Sequence, residues 1–150
     1  MLMNNSHNTI HVVAFDIPIP TNYGGVIDIY YKLTELQKQK IDIILHCYQY
    51  GGRTPSKELD KICKEVYYYK RKNNAYDFRS SIPYIVNSRK DKKLIQRLSQ
   101  DNYPILFEGL HSCYYLDSPL IKDRVKIVRT HNIEHNYYLS LSIPRRKDFE

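Results

Sequence analysis

HVVAFDIPIPTNYGGVIDIYYKL, residues 11–33, is the stretch on which the fold turns. His11 to Phe15 is a short apolar run rich in valine, of the length and composition of a buried strand. It ends at Asp16 and gives way to Pro18, Pro20, Thr21, Asn22 and the pair Gly24-Gly25, which reads as a turn-rich loop. From Gly25 the apolar period changes. Val26, Ile29/Tyr30, Leu33 and Leu36 stand at the i, i+3/i+4 spacing of one helical face, which predicts a helix to about Gln39.

Working outward, Ile41 to Cys47 (IDIILHC) is again strand-like, and Gly51-Gly52 breaks it. Thr54 or Ser56 is placed to cap a short helix running through Cys63. Val66 to Tyr69 is β-prone and predicts a third strand. Ser81 to Gln100 predicts one or two helices, the second with Leu94, Ile95 and Leu98 on one side. Pro104 to Glu108 (PILFE) and Val125 to Thr130 (VKIVRT) complete an alternation of strands and helices. That alternation implies an α/β domain with a parallel sheet covered on both faces. In such sheets ligands bind beyond the carboxyl ends of the strands. The expected rim therefore carries Asn22, Tyr23, Gly24 and Gly25 after the first strand, Glu108, Gly109 and His111 after PILFE, and His131, Asn132, Glu134 and His135 after VKIVRT.

Composition sets the outer limits. The chain has 150 residues, 42% apolar and 26% charged, which suits a single globular domain. No apolar run approaches the ~20 residues of a membrane span, and Met1 to Thr9 is polar with no signal-peptide pattern. Three cysteines, Cys47, Cys63 and Cys113, form no CxxC pair, so a disulfide framework is not expected and a reduced, cytoplasmic compartment is. The formal charge is +7, and all of it falls between Lys64 and Arg97, where ten basic residues face three acidic ones. A localised basic surface attracts phosphate-bearing partners, a nucleic acid or an anionic membrane. Lysine enrichment through an AT-rich genome is the plain alternative, in keeping with only two alanines and no tryptophan.

Each motif has a chemical and a structural reading. Gly24-Gly25 opens a helix, where backbone N–H groups and the helix dipole favour an anion, and also serves as an ordinary turn. Neither G-x-G-x-x-G nor the P-loop pattern occurs, which removes the usual fingerprints of dinucleotide oxidoreduction and P-loop hydrolysis. His131 to His135 fits H-x-x-E-H, the inverted zinc-peptidase pattern, but too little sequence follows to supply the further ligand, and His131 directly follows a strand rather than lying within a helix. No metal site and no cofactor are expected. Glu108 and His111, three apart across Gly109, are spaced for one to orient the other at a binding site. The cysteines read as core thiols, and Tyr67-Tyr68-Tyr69 and Tyr137-Tyr138 as packing residues. A basic α/β module binding nucleic acid is the competing non-enzymatic reading, with no recognised nucleic-acid motif behind it.

The order of three segments, residues 11–33, PILFEGLHSCYYL at 104–116 and VKIVRTHNIEHNYYLSL at 125–141, resembles the N-terminal half of a GT-B glycosyltransferase of family 4. The resemblance implies a Rossmann-like three-layer domain with a mostly parallel sheet, spanning residues 1–150 as the acceptor-side half of a retaining, metal-independent transferase. It implies that Gly24 and Gly25 face the donor diphosphate and that His131 sits beside the reacting sugar as the catalytic residue. It further implies that Glu108, His111, Arg129 and Glu134 line the acceptor side. The implied partners are a nucleotide-sugar donor and a glycan or lipid-linked glycan acceptor, with nucleic acid not expected. A basic face made of Lys70, Arg71, Lys72, Arg89, Lys90, Lys92 and Lys93 would touch an anionic membrane or polyanion from the cytoplasmic side. No two glutamates stand at the family's E-x7-E spacing, so the C-terminal donor domain is expected to be absent and the 150 residues alone inactive.

Overall fold

Five strands pair side by side, all parallel, in the order β3-β2-β1-β4-β5. The structure is a computed structural model and describes residues 8–72 and 81–130. In chain order it runs β1 (Thr9–Ala14), α1 (Gly24–Lys38), β2 (Asp42–Gln49), a 3-10 turn (Leu59–Lys61), β3 (Glu65–Lys70), α2 (Tyr84–Asn87), α3 (Lys92–Leu98), β4 (Ile105–Glu108), two further 3-10 turns (Leu110–Tyr115 and Pro119–Ile121) and β5 (Lys126–Arg129). This strand order is that of a Rossmann-like sheet, and the chain reverses its direction of travel between β1 and β4.

Side-chain alternation divides the core in two. Val12, Ala14, Ile43, Leu45, Cys47 and Leu106 point to one face and meet Ile29 and Leu33 of α1. Val13, Tyr48, Tyr69, Ile105 and Phe107 point to the other and meet Leu94, Ile95 and Leu98 of α3. β1 and β2 are buried on both faces, which is why apolar residues stand at consecutive positions in them, 12–14 and 43–45, rather than alternating. Cys47 and Cys63 are buried thiols, and Cys113 is half-buried. The helix expected between Thr54 and Cys63 is reduced to the 3-10 turn at Leu59–Lys61, preceded by Ser56 Oγ accepting from the Glu58 amide at 3.3 Å. Leu59, Ile62 and Cys63 pack on the core, but no residue from 54 to 58 is buried, so the apolar face is one turn long and too short to sustain a helix. Among the described residues, no helix is long and apolar enough to cross a membrane.

On the α3 face, a polar chain crosses three strands. His11 Nε2 meets the Asp101 carboxylate at 2.9 Å, His11 Nδ1 meets His46 Nε2 at 2.9 Å, and His46 Nδ1 meets the Tyr69 hydroxyl at 2.8 Å. Arg97 donates to the same hydroxyl at 3.2 Å and stacks over Tyr67 at 4.1 Å. With both imidazoles neutral, every group is satisfied in one direction: Arg97 donates to Tyr69, Tyr69 to His46, His46 to His11, and His11 to Asp101. Burial holds His46 well below the ordinary imidazole range, and it lowers His11 too, against the opposing pull of Asp101.

Because the folded histidines resist protonation, the unfolded chain takes up protons from its ordinary value of 6.5 downward while the folded chain does not. Stability is therefore complete above that pH and falls below it, chiefly through His46. Urea unfolding above and below that pH measures the loss, and His46→Gln should flatten the slope by its share. An unchanged slope in His46→Gln would contradict a neutral, buried pair.

Candidate functional site

The loop that follows β1, residues 15–23, lies at the carboxyl end of the sheet and is held by charge rather than by apolar packing alone. Asp16 is buried; its Oδ1 accepts from the Ile17 amide at 2.8 Å and its Oδ2 from the Tyr23 hydroxyl at 2.8 Å. Arg53 reaches across from the segment after β2. Its Nε lies 3.3 Å from Asp16 Oδ2, and its terminal nitrogens donate to the Ile17 carbonyl at 2.7 Å, the Pro20 carbonyl at 2.9 Å and Asn22 Oδ1. Arg89, also buried, donates twice to the Phe15 carbonyl, at 3.0 and 3.2 Å. Loop carbonyls have no ladder partner, so buried ones need donors from elsewhere, and the two arginines supply them. Burial, with Arg71 nearby as the second cause, pushes Arg89 down to about 10, which leaves it charged at neutral pH. Burial and Asp16 push the Tyr23 phenol up, so it stays a donor.

The loop delivers the chain to Gly24, where α1 starts. Tyr23 at the N-cap offers no side-chain hydrogen bond, and no acidic residue stands in the first turn. The leading N–H groups and the positive end of the helix dipole are thus neither capped by that side chain nor neutralised by first-turn acid. The two glycines differ. A Cβ on Gly25 would meet Phe15 Cζ at 2.7 Å, whereas one on Gly24 would meet nothing within 4 Å. Packing against Phe15 therefore demands glycine at position 25, while position 24 opens onto clear space. The Phe15 ring in turn meets the His111 ring edge-on, with centroids 5.8 Å apart at 84°.

Register brings Ala14, Glu108 and Arg129 abreast at the ends of β1, β4 and β5. Glu108 is fully buried and faces α1, where Lys32 donates to its Oε1. Arg129 lies 3.7 Å from Oε2 and pairs with Asp28 through both terminal nitrogens, one of them at 3.1 Å, and Asp28 stands 3.9 Å from Lys32. Among the described residues, two acids and two bases form a lattice without net charge that ties α1 to β4 and β5. Gly109 then turns with φ 75°, a conformation that favours glycine, and leads into the Leu110–Tyr115 turn carrying His111.

The structure thus brings Gly24, Gly25, Glu108, His111 and Arg129 to one edge of the sheet. His131 and Glu134, with the whole H-x-x-E-H segment, lie outside the described residues. Glu108, expected on the acceptor side, has its carboxylate turned to Lys32 and Arg129 rather than to solvent. Of the expected basic face, Lys70, Lys72, Lys90, Lys92 and Lys93 are exposed. Arg71 is half-buried. Arg89 is a correction: at 4% exposure it turns inward to the Phe15 carbonyl and cannot touch a membrane. Sequence reasoning missed Asp16, Arg53, Asp28 and Lys32. Only the Asp28/Lys32 pair left a local signal, as opposite charges at i, i+4 on a helix.

The chain is 30% identical over 138 residues to an uncharacterized 44.6 kDa protein in the cps region of Klebsiella pneumoniae. The aligned part is 88% of this chain and 35% of that protein, so the chain spans about a third of the length of the relative it matches. No family model matches. No solved structure matches.

Proposed function

We propose that the chain is the Rossmann-like, acceptor-side domain of a glycosyltransferase that moves a sugar from a nucleotide-diphosphate donor to a glycan or lipid-linked acceptor. The observation that carries this reading is the start of α1: a glycine N-terminus with no side-chain cap and no first-turn acid, with clear space over Gly24, at the carboxyl edge of a parallel sheet. Such an end binds phosphate through backbone N–H groups and the dipole, without a metal. Similarity to a protein of a cps region, read as a capsular-polysaccharide locus, supports a sugar-transfer setting.

In this reading Gly24 and Gly25 receive the donor diphosphate and stabilise the charge that grows on it as the glycosidic bond breaks. Phe15 and His111 form the floor beside it. Glu108 acts at one remove by fixing Arg129, which with His111 and Glu134 belongs to the acceptor side. His131 is the residue placed beside the reacting sugar. The exposed lysines, Lys70, Lys72, Lys90, Lys92 and Lys93, give a cytoplasmic domain a surface for an anionic membrane, at about 1 kcal/mol per well-placed charge.

The two glycines separate chemistry from folding. Assayed in the full-length gene product against UDP- and GDP-hexoses, Gly24→Val should keep its unfolding midpoint and lower donor turnover at least ten-fold, and His131→Ala should lower it further. Gly25→Val should lose turnover and also about 1–3 kcal/mol of stability, because the added side chain collides with Phe15. Undiminished turnover in Gly24→Val and His131→Ala would refute the assignment.

A further inference from the structure

Beyond the ends of β2 and β3 lies a second feature of the same edge, a cleft of about 630 Å³ that the donor reading does not use. Its lining includes Arg53, Lys70 and Arg71 and no acidic residue. Arg53 is committed to Asp16 and the loop carbonyls, so Lys70 and Arg71 set the charge of the cleft. Among the described residues, no carboxylate pairs with either.

Arg71 is held in place. Its Nε donates to Ser88 Oγ at 2.8 Å, and its guanidinium lies 4.3 Å from the Tyr50 ring centre and 5.5 Å from that of Tyr84. These contacts fix the plane of the group while leaving its two terminal nitrogens without a hydrogen bond among the described residues. A planar pair of N–H donors of this kind matches phosphate oxygens, and little side-chain entropy remains to be lost on binding. The opposite lip is the Tyr50–Arg53 turn, closed by the Arg53 amide donating to the Tyr50 carbonyl at 3.2 Å. Gly51 and Gly52 take φ 63° and 77° in succession, a turn that favours glycine at both positions, and both line the cleft. Among the described residues, neither glycine N–H is taken up by a hydrogen bond. Behind the cleft, the charge of Arg71 bears on the buried Arg89, a like-charge repulsion that a bound anion relieves.

We infer that this cleft is a binding site for a diphosphate group, received by Arg71, Lys70 and the Gly51-Gly52 turn. It is separate from the end of α1, and it stands whether or not the protein transfers sugar. Two sources present the same chemistry, a soluble diphosphate and the headgroup of a polyprenyl diphosphate in a membrane.

Titration calorimetry with inorganic pyrophosphate at low salt tests the first source, and flotation with phosphatidylcholine vesicles carrying a polyprenyl diphosphate tests the second. Arg71→Gln and Lys70→Gln should each weaken binding at least five-fold in whichever arm binds, with the exposed Lys122→Gln unchanged as the charge-matched control. Lys70 is exposed, so its variant reads the site even if Arg71→Gln disturbs folding. Both arms use the Gly24→Val background, so that diphosphate received at the end of α1 does not count toward the cleft. No binding in either arm, binding that survives Lys70→Gln and Arg71→Gln, or loss equal in the Lys122→Gln control would overturn the inference.

Discussion

A carboxylate sealed beneath the sheet's edge is tolerable only with cations beside it, and the arrangement of this edge follows from how Glu108 meets that requirement. Removing a charge from water costs several kcal/mol, which attraction to a partner offsets only when the geometry is good. Glu108 draws Lys32 from α1 and Arg129 from β5, and Asp28 neutralises what remains of both cations. The lattice fixes the rotation of α1 about its axis relative to β4. It thereby sets where the first turn of α1, with its glycines, stands against His111. Within that lattice the described charges cancel, so the positive end of the α1 dipole adds to that of Arg89 near the Phe15–His111 floor.

The loop between β1 and α1 applies the same principle to backbone. Its carbonyls at Phe15, Ile17 and Pro20 are satisfied by Arg89 and Arg53 instead of by a neighbouring strand. Both arginines come from segments near the basic cleft, so the loop before α1 and the cleft beyond β3 share a wall. Positive charge at this end of the molecule serves two ends: Arg53 and Arg89 are spent on holding the chain, and Lys70 and Arg71 face outward. Net charge read along the sequence makes no such distinction.

Much of the fold was legible because its signals are local. Valine and isoleucine runs at β1, β2 and β4 are buried on both faces, and the change to a 3.6-residue period marks α1. The alternation of these elements predicts the parallel sheet, and the strand-end rule then gathers Gly24, Gly25, Glu108 and His111 on one rim, while Arg129 entered only through the family resemblance. What was not legible depends on partners far away in sequence. Arg89 and Lys90 are adjacent and chemically alike, yet one donates to Phe15 and the other is exposed, and only tertiary packing decides between them. The role of Lys32 depends on a carboxylate on β4, and that of Arg53 on a loop before α1. The stretch from Thr54 to Cys63 carried capping residues but buries nothing before Leu59, so a face one turn long gave only a 3-10 turn.

The central claim is that ligand meets this protein at the carboxyl ends of β1 and β4. Backbone amide shifts in ¹⁵N-labelled protein, followed while UDP is added, test it at residue resolution and tolerate weak binding. The account predicts the largest changes at Gly24, Gly25 and Val26, with a second group at Gly109 to His111. Changes confined to the opposite edge, around Ile41, Asp42 and Lys64, with Gly24 to Val26 unmoved at saturation, would contradict it.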